Sequence, residues 1–364
     1  MKEINNLLQK MVQMQASDLH LKNGSTAIVR LNRELIPIGS DILTSEDIQS
    51  FLKEIFNENQ FKKFREDLEI DFAYAVPDIG RFRTNVFLQR GSISIAMRFV
   101  KFDIPVFSEL HIPLSLEDFC SKERGLILIT GATNSGKSTT LAAMIDYINR
   151  HFRKHIITVE DPIEFLHQDR LSIINQREVG IDTLSFDIAL KHILRQDPDV
   201  ILIGEMRDKE SFTAALQAAE TGHLVMSTMH ASSASNAIDR ILDFFHDPIL
   251  QEQARLQLAN NLISIVSQRL LPRKDGNGLI PALEILTGNP TVKRTIHKNE
   301  LNKISQIIAS TQDSDMMSFN QSILSLIKKG LIKEDIGLAH ADNPEVLKMN
   351  IQGIFLDEER RIVS

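Results

Sequence analysis

Gly131-Ala132-Thr133-Asn134-Ser135-Gly136-Lys137-Ser138 decides the fold. An apolar run, Leu126-Ile127-Leu128-Ile129, leads into it, and Thr139-Thr140-Leu141-Ala142-Ala143-Met144-Ile145, a run compatible with helix, leads out. Strand, glycine-rich loop and helix form the setting in which G-x-x-x-x-G-K-[ST] holds phosphate. The loop's backbone N–H groups and the positive end of the helix face an anion there. Lys137 is then placed to reach the terminal phosphates of a nucleoside triphosphate and Ser138 to hold Mg²⁺, with Gly131 through Thr139 as the binding loop. Asn134 accepts a left-handed backbone nearly as readily as glycine.

Around this loop the apolar segments 126–130, 155–159, 199–204 and 224–228 alternate with helical stretches near 138–150, 185–196 and 208–221. That alternation predicts an α/β domain, a parallel sheet with helical crossovers. From about residue 247 the chain reads as mostly helical, with one late strand over 279–286. Before the loop the pattern differs. An amphipathic helix over 3–15, short strands at 18–22 and 27–31, and helices after Thr44 and over 58–65 precede three strands at 68–76, 81–89 and 92–100. Gly80 and Gly91 supply the turns between those three. The expected organisation is a small α+β domain over 1–100, a linker over 101–116 containing Pro105 and Pro113, and the nucleotide domain over 117–364.

Bulk properties narrow the function. The 41 basic residues are outnumbered by 48 acidic ones, for a net charge of -7, which opposes the basic footprint a nucleic-acid binder needs. The lone cysteine, Cys120, allows neither an internal disulfide nor a cysteine zinc site. No apolar run approaches the ~20 residues of a membrane span. A cytoplasmic protein is expected, without direct membrane insertion, whose membrane role would run through a partner.

A phosphate loop needs acidic groups at neighbouring strand ends. Glu160-Asp161-Pro162-Ile163-Glu164 follows one apolar strand, and Ile201-Leu202-Ile203-Gly204-Glu205 ends another. Parallel sheets gather ligand-contacting residues at the carboxyl ends of their strands. One carboxylate holds Mg²⁺ through water, and the other orients or deprotonates the attacking water. Glu205 is favoured as the indispensable one, with Glu164 as the alternative base and Ser138, Glu205, Glu160 and Asp161 as the metal set. His223 and His230 flank the strand at 224–228. His230 is placed to sense the γ-phosphate, and His223 to orient Glu205 or serve a subunit contact. Phosphoryl transfer also calls for cations. Arg81 and Arg83, two apart and therefore on one strand face, join Arg195, Arg207 and Arg240 as candidates.

The ordered series Gly131 to Ser138, Thr158-Val159-Glu160-Asp161-Pro162-Ile163-Glu164, Asn175-Gln176-Arg177-Glu178-Val179-Gly180, Leu194-Arg195-Gln196-Asp197-Pro198-Asp199, Gly204-Glu205-Met206-Arg207-Asp208, Glu220-Thr221-Gly222-His223 and Thr228-Met229-His230 resembles the secretion ATPase superfamily. Within it, the chain is similar to the twitching-motility ATPases that power type IV pilus retraction. Ser17-Asp18-Leu19-His20 and Gly80-Arg81-Phe82-Arg83 extend the likeness into the first domain.

The resemblance implies a PAS-like N-terminal domain, a RecA-like P-loop NTPase core and a homohexameric ring that hydrolyses ATP with Mg²⁺. It also implies that Arg81 and Arg83 approach the nucleotide as the cleft closes, and that an inner-membrane platform protein at the pilus base, with the motor peripheral to it, receives the motion. Two departures stand out: Asn134 replaces the family's usual glycine, and Ala231-Ser232 follows His230 in place of threonine-asparagine. They leave open whether the chain is the principal motor or an accessory paralogue. A pilus-assembly or secretion ATPase is the nearer rival, and a nucleotide-binding regulatory subunit the non-enzyme one.

Overall fold

A computed structural model of the chain describes residues 3–31, 34–100, 103–310 and 315–355. These divide into two compact units. The first holds the described residues up to 100 together with Pro162–Leu166, and the second holds Asp103–Asp161 and the chain from His167 onward.

The first unit runs α1 (Ile4–Gln13), β1 (Asp18–Lys22), β2 (Ala27–Leu31), β3 (Glu34–Ile38), α2 (Ser45–Ile55), α3 (Glu58–Asp67), β4 (Glu69–Val76), β5 (Gly80–Gln89) and β6 (Ser92–Val100). Its sheet has the order β3-β2-β1-β6-β5-β4. Every pairing is antiparallel. First and last strands meet at the centre, as the resemblance to a PAS domain implies. Thr44 with Asp47 and Asn57 with Gln60 form capping boxes that start α2 and α3. Leu8 and Met11 of α1 and Ile48 and Phe51 of α2 join the core that Phe82, Val86 and Met97 supply from the sheet. Strand alternation then turns Arg81 and Arg83 to the face opposite Phe82. Arg83 pairs across the strands with Arg98, and Arg98 Nε donates to Asp18 Oδ1 at 2.7 Å. β3 is absent from the sequence reading. Its exposed Leu35 and its Pro37 suit the sheet edge it occupies.

The second unit runs α4 (Ser115–Cys120), β7 (Gly125–Thr130), α5 (Lys137–His151), β8 (His155–Glu160), β9 (Ile173–Glu178), α6 (Phe186–Ile193), β10 (Val200–Ile203), α7 (Lys209–Glu220), β11 (Leu224–Met229), α8 (Ala234–Asp243), α9 (Pro248–Asn261), β12 (Leu262–Pro272), β13 (Leu279–Thr287), α10 (Pro290–His297), α11 (Ile304–Ser310), α12 (Phe319–Lys328), α13 (Glu334–His340) and α14 (Pro344–Ile351). The sheet order is β13-β12-β7-β11-β10-β8-β9. All pairings are parallel except the β12–β13 hairpin. This is the RecA strand order, with β11 inserted between the phosphate-loop strand and the strand that leads to Glu205. β7 is buried along its whole length because helices cover both faces, so it reads as a continuous apolar run rather than an alternating one. Phe212, Ile238 and Leu258 pack on one side of the sheet, and Leu116, Met144 and Ile145 on the other.

The second unit corrects the expectation in three places. Residues 262–272 form a strand where helix was expected past 247; Ile263, Ile265 and Val266 are β-branched and pack better on a sheet. β9 is an additional edge strand. Residues 103–116, expected as a linker, put Phe107, Ile112 and Leu116 into the second core.

His167 supplies a pH test of this unit. Among the described residues its Nδ1 is buried without a hydrogen-bond partner. Burial pushes the imidazole down to about 4, against the opposing pull of Asp146. The unfolded chain binds that proton at higher pH. The contribution is therefore complete above pH ~6.5 and is lost as pH falls toward 4, by up to about 3 kcal/mol. His167→Gln should flatten the fall in urea midpoint between pH 7 and pH 5 relative to wild type. Parallel pH profiles for the two proteins would refute this assignment.

Candidate nucleotide site

The loop between β7 and α5 has the geometry its glycines require. Gly131 has φ +152° and Gly136 φ +90°. A Cβ on Gly131 would collide with Ser135 Oγ and the Gln268 carbonyl, and one on Gly136 would stand 2.7 Å from Gln268 Nε2. Asn134 adopts φ +63°, the left-handed backbone anticipated for it. α5 begins at Lys137 with no side-chain cap, so its first N–H groups remain open to an anion. Lys137 is buried, and its Nζ donates to the carbonyls of Gly131 at 3.0 Å and Ala132 at 2.9 Å. Among the described residues Ser135 Oγ is buried without a hydrogen-bond partner. An orphaned hydroxyl, an uncapped helix start, and a lysine held on the loop are the features of a phosphate cradle, so the residues present fit a nucleotide.

Glu205 follows the carboxyl end of β10 with its side chain 18% exposed. Arg207 donates to its Oε2 through Nε at 2.8 Å and through a terminal guanidinium nitrogen at 2.7 Å. His230 Nε2 lies 3.1 Å from Oε1, hydrogen-bond distance for a ring N–H. The hydrogen bonds to Glu205 raise the Arg207 guanidinium above its ordinary value, helped by the charges of Glu205 and Asp161. The backbone fixes this triad. Ser227 Oγ donates to Ile203 O and Thr228 Oγ1 to Gly204 O, each at 2.7 Å, and Met206 N donates to Thr228 O at 3.0 Å. Arg240 of α8 donates to the His230 carbonyl at 2.9 Å, so it braces the histidine's backbone.

Neighbouring strands lie about 4.8 Å apart, so the Glu205 strand stands about 10 Å across the sheet from β7, with His230's strand between them. Gly204 approaches Glu160 closely enough that a Cβ would meet its Cα at 3.3 Å. Glu160 Oε1 accepts from Thr158 at 2.6 Å and from Gln176 at 3.1 Å. Asp161 is exposed just beyond it. Ser138, Thr139, Glu205, His230, Glu160 and Asp161 therefore occupy one edge of one sheet.

Other expected residues fall elsewhere. His223 precedes β11, whose six residues span about 20 Å. Its Nδ1 lies 2.9 Å from the Ala218 carbonyl and 3.2 Å from Thr221 Oγ1. The expectation that His223 orients Glu205 is corrected: His230 and Arg207 hold that carboxylate. Arg195 precedes β10 and is exposed at the same amino-terminal edge. Glu164 is exposed within Pro162–Leu166, the segment that groups with the first unit, as do Arg81 and Arg83. Gln268 and Ser267 of β12 were missed. Thr140 donates to Gln268 Oε1 at 2.8 Å, and Thr130 to Ser267 Oγ at 2.9 Å. The β-branched run before them was the available signal.

Fold and site together define a RecA-like P-loop nucleoside triphosphatase. The chain belongs to the type II/IV secretion system protein family, whose pattern matches residues 108–322. It is 39% identical over 350 residues to the type IV pilus ATPase PilU of Pseudomonas aeruginosa, covering 96% of this chain and 91% of that one. It is also 39% identical to the type IV pilus retraction ATPase PilT of the same organism, covering 94% of this chain and 99% of that one. The crystal structure of the pilus retraction motor PilT with bound ADP superposes with a TM-score of 0.88 at 42% identity, covering 95% of this chain and 98% of that chain.

Proposed function

We propose that this chain is the ATP-hydrolysing subunit of a motor that retracts type IV pili. The observation that carries this reading is the Glu205 carboxylate fixed between His230 and Arg207 on the same sheet edge as an open phosphate loop. Similarity to PilT and PilU along nearly the full chain supports the mechanical role.

Lys137 and the α5 N-terminus bind and orient the phosphates of ATP. Glu205 aligns the attacking water and takes its proton, with Glu164 as the alternative base. His230 and Arg207 hold Glu205 in one orientation, which spares the reorganisation a free side chain would need. Ser138, Glu205, Glu160 and Asp161 would hold Mg²⁺, partly through water, and the ion would supply charge neutralisation on the phosphates. Arg81 and Arg83 supply cations from the first unit in the closed subunit of a homohexamer. Arg195 and His223 act toward a neighbouring subunit. The ring works at the cytoplasmic side of the inner membrane on a platform protein. Among the described residues no helix is long and apolar enough to cross a membrane.

Equal identity to PilT and PilU favours one second reading, an accessory retraction ATPase that needs a paralogous sister. Expressing this chain alone in a host lacking every other retraction ATPase separates the two. Restored retraction assigns the principal motor, and restoration only with the sister assigns the accessory role.

A further inference from the structure

We propose that Gln268 is a positioning residue for the phosphate loop, acting through Thr140. The proposal rests on the nucleotide site described above. Gln268 is buried on β12, the strand beside β7 on the side away from β11. Its Oε1 accepts the Thr140 hydroxyl at 2.8 Å. Thr140 lies in the first turn of α5, immediately after Ser138 and Thr139. A bond at this point sets the rotation of the turn that aims those two hydroxyl groups. The same amide presents Nε2 against Gly136, where a Cβ would come within 2.7 Å. The backbone carbonyl of Gln268 limits Gly131 in the same way, at 2.6 Å. One residue thus bounds the loop at its first glycine, its second glycine and its helical exit.

The platform behind Gln268 is rigid. The next residue, Arg269, points to the opposite face of the strand. Its guanidinium carbon lies 3.8 Å from the centre of the Phe319 ring, and it pairs with Asp342 at 2.7 Å. It also donates to the His340 carbonyl at 2.9 Å. β12 is therefore pinned to the C-terminal helices on one face while it grips the phosphate loop on the other. Thr130, the last residue of β7, adds a second buried tie through Ser267 at 2.9 Å.

The test measures fluorescent ADP affinity, ATP KM and kcat, and nucleotide-free melting temperature for five proteins: wild type, Gln268→Leu, Thr140→Val, Thr140→Ser and the Gln268→Leu/Thr140→Val double variant. Gln268→Leu and Thr140→Val should each weaken ADP affinity and raise KM about three- to tenfold, the effect of one net hydrogen bond. Thr140→Ser, which keeps the hydroxyl, should stay within about twofold of wild type. The double variant should be no worse than the poorer single, because both remove one bond. Melting temperatures without nucleotide should stay within a few degrees. Variants that bind and turn over like wild type, or that lose melting temperature while keeping affinity per folded molecule, would overturn the role of Gln268. Failure of wild type itself to bind ADP would instead overturn the nucleotide reading.

Discussion

Glu205→Gln lowers ATP turnover by two to four orders of magnitude, the expected loss when a positioned general base is removed. The amide is nearly isosteric: its one carbonyl oxygen can still accept from Arg207, while its NH2 faces the His230 ring nitrogen. It has neither the charge nor the basicity to take a proton from water. Arg207 is 65% exposed, and water solvates it once its ion partner is gone, so the fold should tolerate the change. Nucleotide affinity should stay within about threefold, because the phosphate contacts proposed for Lys137 and the α5 N-terminus do not involve Glu205. Steady-state phosphate release and fluorescent ADP titration, run side by side, check the two halves. Equal turnover in wild type and variant would remove Glu205 from the mechanism and leave Glu164 as the base.

Lys137→Ala abolishes nucleotide binding at micromolar concentrations, a loss of at least about a hundredfold given the strength of charge-assisted bonds to phosphate. The ammonium already sits on the loop carbonyls of Gly131 and Ala132, so little conformational entropy is lost when it turns to a phosphate. Its removal also leaves both carbonyls without that donor, which loosens the loop. The measurement is the rise in melting temperature on adding ADP, clear in wild type and absent in the variant. A variant stabilised by ADP as strongly as wild type would show that the phosphates lie elsewhere.

The loop was legible in the sequence because each of its constraints is local. Glycine permits the backbone at 131 and 136, asparagine tolerates it at 134, and the lysine follows from spacing. Glu205 was legible too, since a short buried strand ending in a carboxylate beside a phosphate loop leaves few other roles. The arrangement around Glu205 was not. His223 and His230 flank the same strand and look equivalent as letters, but a parallel strand sends its two ends to opposite edges of the sheet. Only the register separates the histidine that touches Glu205 from the one bonded to Ala218. Gln268 was hidden for another reason. It lies more than a hundred residues from Thr140, on a strand within the stretch past residue 247 that reads as mostly helical. Its role comes from the sheet order, which places β12 against β7. Residues 103–116 misled because two prolines and little periodicity suggest a linker, whereas Phe107 and Ile112 find a core that only the tertiary fold supplies.

The role proposed for Glu205 is to power retraction through ATP hydrolysis. The most direct measurement counts surface pili, and their retraction events, on cells of the native host that lack this chain and carry either wild type or Glu205→Gln on a plasmid. The expected result is excess, non-retracting pili in the deletion strain and with Glu205→Gln, and normal numbers with wild type. A bald deletion strain, or full retraction restored by Glu205→Gln, would contradict it.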